Sequence, residues 1–243
     1  MRWAIWKTTS STEPTLPVFA GRALVVARSR RARALRLSVN GSTGAVRLSL
    51  PWRQPLAPAL AWVETRRGWI EARLAALPGP QPFRPGTELL IADRKLLIDW
   101  SPAHPRRVTE QDGRLCVGGP QDLLPGRVLR HLKAEALALL AAESRAMAQG
   151  AGLKLHRVSV GDTRSRWGSC GTDGQIRYSW RLILAPSFVR RSVVAHEVAH
   201  LREHHHGPAF HALAEQLLGE SHEPARRWLA AHGSSLHWIG REG

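Results

Sequence analysis

Two histidines four residues apart, with a glutamate between them, stand at His196-Glu197-Val198-Ala199-His200. Four residues advance a helix by about 400°, so both imidazoles project from one face, about 6 Å apart along the axis. That separation lets them converge on one tetrahedral divalent ion at ~2.1 Å. Glu197, turned about 100° from His196, would flank such an ion without ligating it. It could then take a proton from a water whose pKa the ion lowers. At this chain's own composition, roughly 0.03 chance matches to the pattern are expected. An ordinary surface helix could carry the same letters. Here Phe188, Val189, Val193, Val194, Val198 and Leu201 make the segment apolar, and ionisable groups in an apolar helix need partners.

A third ligand is needed, and His204, His205 and His206 offer three choices. Along a continuous helix His204 would lie about 12 Å from His196, too far to share one ion. Gly207-Pro208 follows at once and terminates helices, so the chain must turn back there. A ligand beside that turn is the better candidate, which favours His206, then His205, and leaves His204 to solvent or to the outer surroundings of the ion.

The elements that must position these residues are legible in outline. Alternation at Leu35, Leu37 and Val39 and at Val46, Leu48 and Leu50, across Asn40-Gly41, predicts a hairpin, with a further strand over 23–27. Helical spacing of Leu60, Val63, Ile70, Leu74 and Leu77 predicts a helix over 58–77, with Arg67 the one break in its stripe. The proline-rich stretch 78–86 reads as a connection. Strands are expected at 89–92 and 96–100, a hairpin within 106–117, and a long amphipathic helix over 125–149. A strand at 157–160, a hairpin about Thr172-Asp173-Gly174 and a strand at 175–180 lead into three helices, 187–203, 208–218 and 222–232, the first with Ser187 available as N-cap. The strand at 175–180 directly precedes the histidine helix, a position from which it could pair with an extended peptide. The pattern is α+β: a β-rich N-terminal half (1–120), a connecting helix (121–150) and a C-terminal α+β region (151–243).

The segment His196-Glu197-x-x-His200-x5-His206-Gly207-Pro208-Ala209-Phe210 resembles the active-site segment of the YgjP-like metal-dependent hydrolases, relatives of the SprT-like zinc metalloproteases in the minimal gluzincin group. Arg164-Ser165-Arg166-Trp167-Gly168-Ser169-Cys170 and Ser179-Trp180-Arg181-Leu182-Ile183-Leu184-Ala185-Pro186 are similar to the family's two other signatures, in the same order. Arg30-Arg31-Ala32-Arg33, the hairpin after it and Trp69-Ile70 extend the likeness over nearly the whole chain. One departure stands out: Phe210-His211 occupies a place where family members often have Phe-Trp. The resemblance implies a zincin-like C-terminal half, one Zn²⁺ per chain (or another divalent ion) held by His196, His200 and His206, and Glu197 as general base. The implied activity is that of a metallopeptidase acting on a protein or peptide.

Arg164 and Arg166 either meet an anionic substrate group or an oxyanion, or anchor the loop by ion pairing. Cys170 is a fourth ligand, a redox-sensitive thiol or, the commoner fate, a buried inert cysteine. Trp167 and Trp180 read as core aromatics, with lining the cleft as the other option.

Composition sets the rivals. The net charge is +16, and 31 of the 35 cations are arginine. Residues 1–120 hold 19 basic and 8 acidic residues, net +11, whereas residues 121–243 hold 16 and 11, net +5. A nucleic-acid partner for the basic half is therefore an expectation. It allows a peptidase acting on DNA-associated proteins, or a nucleic-acid-binding module in which zinc is structural. The arginines also leave open a metal-dependent nucleotide phosphohydrolase, although there is no P-loop. The longest uncharged apolar stretch in a helical region, 136–142, falls far short of the ~20 residues that span a bilayer. With no apolar core of signal length in Met1 to Lys7 and only two cysteines, the expected setting is cytoplasmic, without a membrane partner.

Overall fold

The computed structural model describes residues 15–242. The N-terminal segment Met1 to Lys7 lies outside the described residues. The fold is α+β, in two compact units, Met1–Leu77 and Pro78–Gly243.

In the first unit a small ribbon, β1 (Val18–Phe19) with β2 (Arg22–Ala23), precedes a three-stranded sheet of β3 (Val25–Ser29), β4 (Arg36–Val39) and β5 (Val46–Pro51). β5 is central, antiparallel to β4 as the alternation predicts and parallel to β3. Val46, Leu48 and Leu50 are wholly buried, and they share a core with Ala59, Val63 and Ile70 from the helices. The expected single helix is two, α1 (Leu56–Glu64) and α2 (Arg67–Ala75). The interruption falls at Thr65-Arg66, beside the break in the apolar stripe at Arg67, whose guanidinium instead pairs with Glu64 and Glu71.

The second unit has two sheets. β6 (Glu88–Ile91), β7 (Arg94–Trp100), β8 (Thr109–Gln111) and β9 (Arg114–Val117) are ordered β6-β7-β9-β8. β10 (Arg157–Gly161), β11 (Gly168–Cys170) and β12 (Gln175–Ser179) are ordered β10-β12-β11. The long helix α3 (Leu124–Gly150) buries Leu124, Val128, Leu132, Ala136 and Leu140 at i, i+4 spacing, in one core with both sheets. Three helices close the chain: α4 (Ser187–Ala199), α5 (Pro208–Leu218) and α6 (Glu223–Leu236). No described helix is long and apolar enough to cross a membrane.

The two units divide at the proline-rich connection. The physical reason is that β6 to β9 are built into the start of α4. The β6–β7 turn has Ala92 and Asp93 at φ 47° and 66°, the left-handed pair of a tight hairpin. It donates Ala92 N–H to the Ile183 carbonyl at 2.7 Å. Its Asp93 carboxylate accepts the Ser187 N–H at 3.0 Å, so the α4 N-terminus is capped from the sheet, not by Ser187. Asp93 also faces Arg190, a buried cation held by Glu143 of α3 at 3.0 Å.

Candidate metal centre

α4 positions the first two histidines by burying its opposite face. Val189, Val194 and Val198 are fully enclosed, which turns His196 toward a cleft, while His200 caps the helix C-terminus. The helix ends at Ala199, four residues before the expected stop. Residues 201–203 close tight turns onto Val198 and Ala199 carbonyls, and this early exit lets the chain double back. His206 thereby returns to His196, with their Nε2 atoms 3.2 Å apart.

His196, His200 and His206 each present a ring nitrogen within 4.8 Å of the others. Ligands ~2.1 Å from a tetrahedral ion lie roughly 3.4 Å apart, so the His196–His206 separation is that of two ligands on one ion. The His200 Nδ1 is bonded to the Glu203 carbonyl at 2.9 Å, a contact that leaves Nε2 as the free lone pair. Burial and the neighbouring His200 and His206 push His196 down to about 4, so it is neutral at pH 7, the form that ligates a metal. All three rings pack on Phe210 of α5, at centroid distances of 4.9, 4.5 and 4.7 Å. His204 and His205 are exposed and outside this cluster.

Glu197 is 6% exposed and faces the same cleft, of about 670 Å³. Burial pushes its carboxyl up to about 7, opposed by the charge of Arg166. The structure separates the two arginines. Arg166 lines the cleft, whereas Arg164 lies near Asp162 and His237. Cys170 is half-buried; burial and Glu197 push its thiol up to about 11, so it is protonated at neutral pH. It is absent from the three-histidine group. Trp180 is fully buried, whereas Trp167 lines the cleft.

The sequence of the YgjP-like metallopeptidase domain, as a family model, matches residues 33–232. The chain belongs to the YgjP-like family. No curated protein and no solved structure matches it. Membership of a metallopeptidase family implies a metal, usually zinc, and the donor set of this YgjP-like chain fits one.

Two features of the YgjP-like site were not read from the sequence. His222, just ahead of α6, meets the Ser192 hydroxyl at 2.7 Å, and its buried Nε2 has no partner among the described residues. Both residues line the cleft. Neither sits in a recognisable spacing, although Ser192 lies one helical turn before His196. The second concerns the sheet. β12 is its central strand, hydrogen-bonded to β10 and β11 on either side, so it has no edge to offer a peptide. β10 and β11 are the two edge strands, and β11 is the one that begins at Gly168 beside Glu197.

Proposed function

We propose that this YgjP-like protein is a zinc-dependent peptidase in which Glu197 is the general base. The observation that carries the reading is the convergence of three imidazoles at the wall of a cleft that also holds a buried carboxyl raised to about 7. His196, His200 and His206 would hold the ion. When bound, zinc supplies Lewis acidity, polarising a substrate carbonyl and lowering the pKa of water. Glu197, poised near neutrality, takes a proton from the attacking water and hands it to the leaving amide nitrogen. Arg166, whose cation favours the charged form of Glu197, meets negative charge developing on the substrate. The free edge of β11 offers main-chain hydrogen bonds to an extended peptide alongside Glu197.

The test is metal removal followed by reconstitution with zinc, with an unstructured protein and nucleoside triphosphates assayed side by side. Zinc-dependent cleavage of the protein alone is expected. Phosphate or pyrophosphate release without peptide cleavage would instead establish the phosphohydrolase reading.

The first unit supports a second, separate proposal: it is a nucleic-acid-binding surface. Residues 15–77 contain eleven arginines and two glutamates. Trp52 is 56% exposed with Arg30 against its ring, a pairing suited to stacked bases. Affinity for single-stranded DNA that falls steeply with salt is expected. No binding at low ionic strength would remove the proposal.

A further inference from the structure

A second cluster of ligating atoms lies on the other sheet of the C-terminal unit. Asp99 of β7 and Cys116 of β9 are direct partners across a parallel strand pair, so their side chains leave the same face at the same level. That face is opposite the one that buries Ile98, Leu115 and Val117 in the core. The connection from β7 to β8 then folds back over it and sets His104 Nε2 3.5 Å from Asp99 Oδ2. The carboxylate oxygen, the imidazole nitrogen and the thiol sulfur all lie within 4.8 Å of one another.

This loop is held in place. His104 N–H donates to the Ser101 carbonyl at 3.1 Å, and Gly118 N–H donates to the Pro105 carbonyl at 3.1 Å. A β-carbon at position 118 would collide with the His104 carbonyl, so only glycine lets the loop seat here. Arg127 of α3 ties both sides together, donating to the carbonyls of Arg106 and Gly118 at 3.0 and 2.8 Å. The three side chains are therefore presented by two paired strands and a pinned loop.

We propose that Asp99, His104 and Cys116 form a second divalent-metal site, distinct from the three-histidine centre and suited to a zinc-class ion. Imidazole, carboxylate and thiolate are the donors that zinc takes, and the 3.5 Å His104–Asp99 separation matches the roughly 3.4 Å edge of a tetrahedral site. Two anionic ligands, with the Cys116 proton released to solvent, neutralise the ion. Arg114, 55% exposed, reaches Asp99 Oδ2 at 3.4 Å and supplies the outer hydrogen bond that ligating carboxylates commonly carry. A bound ion would lock the β7–β8 connection onto β9, so the role is structural.

Cobalt(II) reconstitution of the full chain tests this without reference to activity, because a thiolate ligand gives a near-ultraviolet charge-transfer band that three histidines cannot. Two ions per chain and that band are expected. Cys116→Ser should abolish the band and leave one ion, His104→Gln should do the same should the serine variant fail to fold, and Cys170→Ser should change neither. One ion per chain without a sulfur band in the wild type, or a band that survives Cys116→Ser and vanishes in Cys170→Ser, overturns the assignment.

Discussion

Gly168 backs directly onto the carboxylate of Glu197: a β-carbon at position 168 would lie 2.5 Å from its Cγ and Oε1. The edge strand and the proposed base are thus fitted to each other, and a methyl group must displace the carboxylate. Gly168→Ala should keep the fold and its metal but lose activity by about 100-fold, the typical cost of misplacing a catalytic group by about 1 Å. Steady-state peptide cleavage checks this, and wild-type turnover would contradict it.

The histidine run makes a sharper distinction. His206→Ala removes one of three converging ligands and should weaken zinc binding by more than ~100-fold, beyond the usual effect of disturbing an outer partner. His205→Ala and His204→Ala alter exposed side chains and should leave affinity within a few-fold. Competition against a chelating dye measures all three.

Stability should depend on pH through His237. Burial and the Arg181 cation push it down to about 4, and its buried Nδ1 has no partner among the described residues. The unfolded chain takes up a proton near the ordinary ~6.5, so the unfolded state binds more protons between those values. The contribution is complete above about pH 6.5 and is lost as pH falls toward about 4. Urea unfolding at pH 7.5 and 5 should show a smaller acid loss in His237→Gln than in the wild type. Equal losses would contradict this.

Arg181 is the buried clasp beneath that histidine. It pairs with Asp162 at 2.8 Å and donates to the Leu236 and Ile239 carbonyls at 2.6 and 2.7 Å. Arg181→Leu leaves two backbone acceptors without their donor and should cost about 2–4 kcal/mol in denaturant unfolding.

Local pattern and long-range geometry differ in how far the sequence carries them. Alternation at Val46, Leu48 and Leu50 and the i, i+4 stripe of α3 follow from periodicity, because burial on one face repeats with the element. The need for a turn after His200 was legible from the ~12 Å reach to His204, and Gly207-Pro208 marked where it ends. What the letters withheld were meetings between distant segments. Asp93 capping Ser187 joins positions 94 residues apart within the unit that begins at Pro78. The pairing of β12 on both sides depends on β10 arriving parallel to it, and His222 reaches Ser192 only once α6 is folded against α4.

Glu197 is the group whose loss should stop the chemistry and spare the metal. Zinc content and peptide turnover should be measured on one preparation each of wild type and Glu197→Gln. Unchanged zinc with turnover lower by about 10²–10⁴-fold is predicted for loss of a general base. Undiminished turnover in Glu197→Gln at full zinc occupancy would contradict it.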